Sequence, residues 1–411
     1  MNFDSFSFHP QINAGIRSAG YVTPTPIQTR TIPSIMEGRD VLGLAQTGTG
    51  KTAAFVLPIL EHLLDGPRGK LRALIVSPTR ELAEQTHAAI NALGRKTGLR
   101  SVTIYGGVGI KPQIRGLRAG AEIAVACPGR LLDLMGQKLV SLNAIEVLVL
   151  DEADRMFDMG FLPDVKRIIK ALPAQRQNLL FSATMPAEVR HLTDSILHDP
   201  VTVEIDTSRP VESIQHAVYG IDQNHKTDLL IKLLYEAGSG QILIFTKTKH
   251  RAKKLADQLS KAGFAATDLQ GNLSQTRRQQ AMDGFRKGHV QVMVATDIAA
   301  RGIDVLEITH VINYDMPDTS DAYTHRIGRT GRMAQRGTAL SLATPADLPM
   351  IHTIEGLLGG TLERRMADGF SGGSFLSDKP NLSSTPSNPF ASRRKLYSNR
   401  RRSFPSAVSR R

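Results

Sequence analysis

Short apolar runs rich in β-branched residues alternate with amphipathic segments in the first half of the chain. The apolar runs are DVLGLA, RALIVS, VTIYGG, EIAVAC, VLVLDE and NLLFSA, and segments such as RELAEQTHAAINALGRK and DVKRIIKAL lie between them. A helix between two strands returns the chain to the same end of the sheet, so the second strand lies parallel to the first. The alternation therefore predicts a parallel β-sheet with helices on both faces.

The second half of the chain repeats this pattern, with the apolar runs QILIFT, VQVMVAT, HVINYD and TALSLAT. The segments RALIVSPTRELAEQ and QILIFTKTKHRAKKLADQL share a layout: a strand, a Thr near a basic residue, and a helix. We expect two α/β domains of related architecture, spanning residues 1–205 and 214–365. The polar segment DTSRPVES, residues 206–213, is predicted to be the linker between them.

Chain length, apolar runs and cysteine content limit the classes of protein to which this chain can belong. The chain has 411 residues, enough for two or three domains, and no apolar run approaches the ~18 residues that a membrane span requires. The first residues, MNFDSFSFHP, lack the basic and apolar regions of a secretory signal. A single cysteine, Cys127, permits no intrachain disulfide and suits a reducing compartment. We expect a cytoplasmic protein that does not bind membranes.

Positive charge is concentrated at the carboxyl end. The net charge is +13, and residues 367–411 contain nine Lys or Arg against two Asp. Such an excess suggests a polyanionic partner. The segment SRRKLYSNRRRSFPSAVSRR has no hydrophobic periodicity, and we expect residues 366–411 to form a disordered basic tail. Its arginines and aromatic residues could bind nucleic acid, or the tail could serve solubility alone.

The stretch AQTGTGKT, residues 45–52, follows a predicted strand and precedes a predicted helix. Gly48 and Gly50 allow the backbone to turn its N–H groups toward phosphate oxygens. Lys51 supplies a positive charge for the β- and γ-phosphates, and Thr52 supplies a hydroxyl ligand for Mg²⁺. The intact Gly-Lys-Thr ending favours a nucleotide site over a chance Gly-rich turn. The predicted nucleotide-binding residues of this loop are Ala45, Gln46, Thr47, Gly48, Thr49, Gly50, Lys51 and Thr52.

Three acidic residues, Asp151, Glu152 and Asp154, follow the apolar run VLVL. Carboxylates this close repel one another, so something must offset their charge. A phosphate loop requires a carboxylate for Mg²⁺ at the end of a neighbouring strand, and Asp151 fits this role. Glu152 is then placed to deprotonate the attacking water, and Asp154 is expected to bond across the cleft. The alternative, a solvated turn, would leave the phosphate loop without its usual partner.

The motif Asp-Glu-Ala-Asp at residues 151–154 resembles the signature of the DEAD-box ATP-dependent RNA helicases. The resemblance extends from residue 3 to the region of residue 345, with the motifs in the order that the family has. The compact core and short basic tail are most similar to the bacterial RhlE-type group. The resemblance implies two tandem RecA-like domains with parallel sheets flanked by helices, ATP and Mg²⁺ as cofactors, and RNA as the partner.

The segment GYVTPTPIQ, residues 20–28, resembles the Q motif of the family. The resemblance implies that Gln28 recognises the adenine edge, for which its amide carries both a donor and an acceptor. It also implies that Phe3 stacks near the base, although ordinary packing is the alternative for an aromatic residue near the N-terminus. In ATDIAARGID, residues 295–304, Asp304 would contact the ribose of ATP.

Several segments resemble the RNA contacts of the family: PTRELA, the Gly-Gly pair, CPGR, QGNLSQTRR and the start of ATDIAARGID. Arginines there would face phosphates, and glycines would permit close backbone approach. Cys127 stands where the family usually has Thr, and Gln270 stands where many members have His. The implied RNA-binding residues are Arg80, Gly106, Gly107, Arg130, Gln275, Arg278 and Thr296.

The segments SAT, residues 182–184, and HRIGRTGR, residues 325–332, resemble motifs that connect the two domains. Arg329 and Arg332 would be arginine fingers, because a planar guanidinium suits the charge spread over a transferring phosphoryl group. His325 would bond toward the acids of the first domain. The implied coupling residues are Asp154, Ser182, Thr184 and His325, and the implied catalytic residues are Lys51, Asp151, Glu152, Arg329 and Arg332.

These motifs together predict an RNA-dependent ATPase. Closure of its two domains would locally unwind short RNA duplexes or remodel RNA–protein complexes. One alternative is an enzyme that acts on DNA through a related core, against which the Asp-Glu-Ala-Asp and Gln motifs argue. The other is an ATP-gated RNA clamp or annealing factor, which would share all of these motifs. Ribosome assembly and RNA decay are settings that the resemblance implies, and we expect a monomer.

Overall fold

The computed structural model describes residues 2–46, 48–205, 214–300, 308–331, 337–366 and 369–370. These residues form two seven-stranded sheets in which every pairing is parallel. The predicted fold class, two tandem RecA-like α/β domains, is confirmed. The strands of the first sheet are β1 (Val41–Leu44), β2 (Ala73–Val76), β3 (Ser101–Ile104), β4 (Ile123–Ala126), β5 (Val147–Asp151), β6 (Gln177–Ser182) and β7 (Val201–Glu204). Those of the second are β8 (Ile214–Gly220), β9 (Gln241–Phe245), β10 (Ala266–Leu269), β11 (Val292–Ala295), β12 (Ile308–Asn313), β13 (Gly337–Ala343) and β14 (Glu363–Arg365).

The two sheets have the same topology. The strand order is β3-β4-β2-β5-β6-β1-β7 in the first sheet and β10-β11-β9-β12-β13-β8-β14 in the second, which is the same order shifted by seven strands. The shared layout seen in the sequence follows from this repeat. In both domains a Thr after the second strand caps the next helix: Thr79 Oγ1 accepts from the Leu82 amide, and Thr248 Oγ1 accepts from the Arg251 amide.

Helices cover both faces of each sheet. Those of the first domain are α1 (Pro10–Ser18), α2 (Pro26–Met36), α3 (Lys51–Leu64), α4 (Arg80–Leu93), α5 (Ile110–Arg118), α6 (Pro128–Gly136), α7 (Ala153–Asp158), α8 (Leu162–Lys170) and α9 (Ala187–Ile196). Those of the second are α10 (Lys226–Ala237), α11 (Lys249–Lys261), α12 (Gln275–Arg286), α13 (Asp297–Ala300), α14 (Ser320–Ile327) and α15 (Leu348–Leu358). Of the helices described, none has the length and apolar character that a membrane crossing demands.

The central strand β5 shows how the core positions the candidate site. Val147 and Val149 pack into one hydrophobic layer of the first domain, whereas Leu148 and Leu150 pack into the layer on the opposite face. A strand buried on both faces must be apolar throughout, which explains the continuous run VLVL. The first charged side chain, Asp151, therefore comes at the carboxyl end of the strand, where loops replace the helical cover.

Four strands were not anticipated from the sequence: β7, β8, β10 and β14. Three of them, β7, β10 and β14, lie at sheet edges. Edge strands are buried on fewer sides, so VTVE, ATDL and ERR lack the long apolar runs of the central strands. The first sheet ends at Glu204 and the second begins at Ile214. The predicted linker lies outside the described residues, as does the predicted tail except for Met366, Gly369 and Phe370.

The helices α1 and α4 approach each other closely at Gly15. A Cβ atom on Gly15 would overlap the backbone carbonyl of Leu93, the last residue of α4. Gly15→Ala should lower the free energy of unfolding by about 1–3 kcal/mol, because a backbone carbonyl cannot move aside without displacing its helix. Urea unfolding followed by circular dichroism measures this change.

Gly136→Ala is the matched control. Gly136 is the last residue of α6, and nothing lies within 4 Å of its missing Cβ. This substitution should be neutral or should raise the free energy of unfolding by about 0.4–1 kcal/mol, because it restricts the unfolded chain. Equal unfolding midpoints for the two variants would contradict the packing described for Gly15.

Candidate active site

The phosphate loop connects the carboxyl end of β1 to α3, which begins at Lys51. Gly48 and Gly50 have φ angles of +85° and +93°, in the left-handed region that favours glycine. A Cβ atom on Gly50 would also lie 2.5 Å from Nε2 of Gln28, so packing requires glycine there as well. The glycines therefore shape the loop, whereas Thr47 lies outside the described residues.

Lys51 reaches back across this loop. Its Nζ donates a hydrogen bond to the carbonyl oxygen of Ala45 at 2.5 Å, and Thr49 Oγ1 donates to the carbonyl oxygen of Gln46 at 2.7 Å. Lys51 is 6% exposed. Burial lowers its pKa, and the negative charges of the acids after β5 oppose this effect. The ammonium group thus lies between the loop and those acids.

The acids lie where β5 ends. Glu152 adopts a left-handed backbone conformation, with φ of +54°, directly before α7. Asp151 and Glu152 are both buried. Burial and, to a smaller extent, the Glu152 carboxylate raise the pKa of Asp151 to about 7, against the opposing charges of Lys51 and Arg155. The protein alone therefore leaves the ionised form of Asp151 incompletely stabilised, which is the situation that a bound cation corrects.

The donors at this edge fit a hard divalent cation. Mg²⁺ is typically held by one or two protein oxygens, with phosphate oxygens and water completing its shell. The Asp151 carboxylate and the Thr52 hydroxyl, in the first turn of α3, are such a pair. The described part of the chain contains no group of three or more His, Cys, Asp or Glu that could form an all-protein metal site. Phosphate oxygens of a bound nucleotide would supply further ligands to a Mg²⁺ held by Asp151 and Thr52.

Arg155 is a functional candidate that the sequence reasoning missed. Its Nη1 donates to Oε2 of Glu152 at 2.5 Å, and both side chains are 3% exposed. A buried carboxylate without a partner is strongly disfavoured, and Arg155 supplies the ion-pair partner of Glu152. The three-residue spacing at the start of a helix is a signal that could have identified the pair.

Asp154 fastens α7 to the end of β6. Its Oδ2 accepts hydrogen bonds from the Ala183 amide at 3.1 Å, the Thr184 amide at 2.8 Å and Thr184 Oγ1 at 3.0 Å. Its own amide donates to Ser182 Oγ at 3.2 Å. Burial acts to raise the pKa of Asp154, but nearby positive charges and the Thr184 amide outweigh burial and hold the pKa below its ordinary value. The segment SAT is thus bonded directly to the last acid of the motif.

The second domain contributes His325, in α14, and Arg329, just beyond it. Both line a cavity of about 30 Å³ that also contains Arg155 of the first domain. Burial lowers the pKa of His325, and so does the charge of Arg155, whereas Asp154 acts in the opposite direction. His325 is therefore close enough to Asp154 and Glu152 for their charges to affect its pKa. Among the described residues its Nε2 has no direct hydrogen-bond partner. Arg332 lies outside the described residues.

Arg326, the remaining arginine of HRIGRTGR, is buried and bonded within its own domain. It donates to both carboxylate oxygens of Asp297, at 2.6 and 2.7 Å, and to the carbonyl oxygen of Asp315 at 2.7 Å. A further bond reaches Asn313 Oδ1 at 3.0 Å. These bonds connect α14 to α13 and to the end of β12, so Arg326 and Asp297 hold the helix that presents His325. Neither residue was a candidate from the sequence.

Gln28 and Phe3 lie on the first domain near the loop. Gln28 is 1% exposed; its Oε1 accepts from the Thr25 amide at 2.9 Å, and its Nε2 donates to the carbonyl oxygen of Gly50 at 3.0 Å. Phe3 is 4% exposed and packs edge-on against Tyr21, with 5.9 Å between ring centroids. The structure places Gln28 against the phosphate loop and Phe3 in the hydrophobic core, and adenine contacts by either residue stay predictions.

A cleft of about 500 Å³ is lined by residues of both domains. Gly107 has a φ angle of +78°, in the left-handed region that favours glycine, and a Cβ atom there would meet the Arg80 guanidinium. Thr296, at the carboxyl end of β11, is not among the described residues that line the cleft, and Asp304 lies outside the described residues. The predicted RNA-binding residues that the cleft brings together are Arg80, Gly106, Arg130 and Arg278. Lining residues that the sequence did not identify include Met159, Phe161, Gly271 and Leu273.

Two pairs of side chains join the domains at this cleft. Arg80 Nη1 donates to Gln275 Oε1 at 3.2 Å. Arg278 Nε donates to Glu81 Oε1 at 2.8 Å, and Arg278 Nη2 lies 2.7 Å from the same oxygen. These two side chains are 11% and 10% exposed. Charge-assisted hydrogen bonds between side chains with so little exposure to solvent fix the relative orientation of the bonded groups. Of the predicted RNA contacts, Arg80, Gly106 and Arg130 of the first domain and Arg278 of the second therefore face one common groove.

Comparison with known proteins gives a consistent result. Residues 25–192 match the family model described as DEAD/DEAH box helicase, and residues 225–334 match the helicase conserved C-terminal domain. The ATP-dependent RNA helicase CshA of Limosilactobacillus reuteri is 42% identical over 358 residues, which cover 87% of this chain and 72% of that protein.

Two solved structures of one yeast protein are similar to this chain over most of its length. S. cerevisiae Dbp5 bound to RNA and ADP BeF3 is 32% identical, with a TM-score of 0.80 over 89% of this chain and 96% of that chain. A single-residue variant of Dbp5, bound to Nup159, a variant of Gle1, IP6 and ADP, is 31% identical, with a TM-score of 0.62 over 88% and 96%. The sequence identity and the share of each chain that is covered are nearly equal for the two Dbp5 structures. By TM-score, this structure is more similar to the RNA-bound complex.

Cys127 provides a test of burial at the cleft. Burial and, to a smaller extent, the charge of Glu81 raise the pKa of the Cys127 thiol to about 12, against the opposing charge of Arg80. Alkylation of the native protein by iodoacetamide at pH 8 should be at least about 100-fold slower than alkylation of the unfolded protein, because only the thiolate reacts.

Mass spectrometry of the intact chain measures this rate without ambiguity, since Cys127 is the only cysteine. While the fold persists, the rate should increase with each step of pH up to pH 10, because a thiol of high pKa is still mostly protonated there. Native and unfolded rates within threefold of each other would contradict the raised pKa of this partly buried thiol.

Proposed function

Because the chain belongs to the DEAD-box family of helicases, we propose that it is an RNA-dependent ATPase that separates short RNA duplexes or remodels RNA–protein complexes. The observation that carries this proposal is the division of one reaction site between two domains. The phosphate loop, Asp151 and Glu152 belong to the first domain, and His325 and Arg329 belong to the second. A site divided in this way can act only when the domains close.

The residues of each domain have a distinct role in ATP hydrolysis. The backbone N–H groups at the start of α3 and the ammonium of Lys51 receive the phosphates of ATP. Glu152, which is paired with Arg155, accepts a proton from the attacking water. Arg329 places positive charge where the phosphoryl group accumulates negative charge in the transition state. Gln28 contacts the same loop and is the candidate for adenine recognition.

Asp151 and Thr52 are the residues that would hold Mg²⁺ with the bound nucleotide. Two observations support this assignment. Asp151 is a buried carboxylate whose pKa is raised toward neutrality, and Thr52 provides a hydroxyl group at the end of the phosphate loop. When bound, the cation would neutralise charge on the β- and γ-phosphates. Its presence would also favour the ionised form of Asp151.

RNA is proposed to bind in the cleft between the domains. Arg80 and Arg130 come from the first domain and Arg278 from the second, so a strand lying in the cleft would contact both at once. Contacts of guanidinium groups with phosphates carry little base information, so binding should be largely independent of sequence. A ligand that bridges both domains favours closure, and ATP favours the same state. RNA and ATP therefore increase each other's affinity.

Four finer points stay predictions from the sequence. They are membership of the RhlE-type group, a cytoplasmic location, a monomeric state, and action in ribosomal or RNA-decay complexes. Strand separation itself can be distinguished from clamping or annealing by the release of a labelled strand from a short duplex under ATP turnover.

Steady-state ATP hydrolysis with no polymer, with single-stranded RNA and with DNA of the same sequence tests the proposed function. RNA should stimulate kcat by at least about tenfold, since closure supplies the second-domain arginine that the transition state requires. DNA should stimulate it much less. Equal stimulation by DNA, or no stimulation by either polymer, would contradict the proposal.

Glu152→Gln and Lys51→Ala should separate chemistry from binding. Glu152→Gln should lower kcat by about 100-fold or more, because an amide cannot accept the proton, while the affinities for ATP and RNA stay within threefold. Lys51→Ala should instead weaken nucleotide binding, because it removes the charge that faces the phosphates. Fluorescent nucleotide titration and RNA anisotropy supply the affinities. Near-normal hydrolysis by Glu152→Gln would contradict its assignment as the base.

A further inference from the structure

We propose that the exposed basic face of α5 is a second RNA-binding surface, which holds the phosphate backbone of RNA that extends beyond the cleft between the domains. Lys111, Arg115 and Arg118 form this face, the α5 stripe. The inference rests on the proposed function, because it enlarges the RNA site that this function requires.

The charge of the segment around α5 has one sign. Residues 85–121 contain six Lys or Arg and no Asp or Glu, in a chain in which 38 of 411 residues are acidic. A helix face that is merely solvated usually carries both signs of charge. A polyanion that approaches this segment would therefore be attracted without repulsion from acids of the same segment.

Packing determines which side of α5 faces outward. Ile110, Ile114 and Leu117 pack against the hydrophobic core of the first domain. The members of the α5 stripe follow the spacing i, i+4, i+7, so they lie together on another side of the helix. All three are exposed to solvent. The stripe is thus one continuous row of charge on the surface.

The α5 stripe begins at the RNA cleft. The helix starts four residues after Gly106, which lines the cleft. Gln113, in the first turn of α5, is 5% exposed, and its Nε2 donates to the carbonyl oxygen of Tyr105 at 2.9 Å. This bond fixes the helix to the loop that borders the cleft. From Lys111 to Arg118 the helix rises about 10 Å, a length over which a nucleic-acid duplex presents several phosphates.

Further basic residues continue the α5 stripe at the amino edge of the first sheet. Arg100 Nη1 donates to the carbonyl oxygen of Ala119, the residue after Arg118, at 2.5 Å. Arg118 and Lys70 line one hollow of about 570 Å³. Glu122 also lies at this edge, but it is 3% exposed and accepts hydrogen bonds from two backbone amides. The positive surface therefore runs from the cleft to the opposite edge of the domain.

A phosphate backbone is the ligand that suits this surface. Ammonium and guanidinium groups on an open helix face can contact phosphates of any sequence. The proposed path of RNA through the cleft brings a strand to the start of α5. A strand too long for the cleft would then continue along the α5 stripe. The stripe should therefore add to the affinity for long RNA and not to the affinity for RNA that only fills the cleft.

Lys111→Gln/Arg115→Gln/Arg118→Gln, which removes the three charges, tests this inference. Fluorescence anisotropy with a non-hydrolysable ATP analogue compares single strands of about 8 and about 25 nucleotides, since single-strand sites cover about 4–16 nucleotides. The Kd for the long strand should rise by at least about fivefold. The slope of log Kd against log salt should fall by up to about 2, because each neutralised phosphate contributes about 0.7. The Kd for the short strand should stay within about twofold.

Arg17→Gln/Arg39→Gln/Lys170→Gln is the matched control. It also removes one Lys and two Arg from exposed positions of the first domain, but these positions do not form a row along one helix. Its Kd values for both strands should change by less than about twofold. The charge-retaining variant Lys111→Arg/Arg115→Lys/Arg118→Lys should bind the long strand within about twofold of the unsubstituted protein, because phosphates require charge and not a fixed pocket.

Three results would overturn the inference: an equal loss of affinity for both strand lengths, no loss for either strand, or the same loss in the control. If the triple variant does not fold, Arg115→Gln alone carries the test, with a smaller loss that is again confined to the long strand. An unsubstituted protein that binds neither strand would instead contradict the proposed function.

Discussion

The burial of opposite charges in one small volume is the constraint on which the rest of this structure depends. Lys51, Asp151, Glu152, Asp154 and Arg155 are all nearly inaccessible to solvent. None of these charges could be buried alone, because the desolvation penalty of each charge exceeds the stabilisation that one weak contact provides. Each is therefore held by another member, by the phosphate loop or by the segment SAT. The cluster can exist only at the carboxyl edge of the sheet, where buried apolar strands give way to loops and helix N-termini. The same edge is where a nucleotide and a cation can complete the balance of charge.

The two domains use one topology for different halves of a site. In the first domain the glycine loop follows β1, whereas after its counterpart β8 the chain passes through a short 3-10 turn, Gln223–His225, and no glycine loop is present in the described residues there. The acids follow β5, and α14 with His325 lies beyond its counterpart β12. Equivalent edges of the two sheets thus face each other, one with acids and a phosphate loop, the other with basic residues. On the cleft side, the pair Glu81–Arg278 connects the domains and makes the RNA groove part of the same closure.

Sequence reasoning predicted the parts of this arrangement that are local and chemically distinctive. The run VLVL indicated a strand buried on both faces. Gly48, Gly50 and Lys51 lie within four positions of one another and indicated the phosphate loop. The edge strands β7, β10 and β14 were missed because partial burial leaves no long apolar run. Arg155 and Glu81 were missed because charged residues on helices are usually solvated, and their importance depends on tertiary partners. For Glu81 that partner is 197 positions away in the chain, a distance over which no local pattern operates.

We propose that RNA and ATP act on one closure equilibrium. The most direct test is to measure the affinity for single-stranded RNA with and without a non-hydrolysable ATP analogue, and the affinity for that analogue with and without RNA. Because linkage is reciprocal, the two ratios must be equal, and this account predicts a ratio of at least about fivefold. A ratio of one in both directions would contradict it, since the two ligands would then bind independent sites that do not share the closed state.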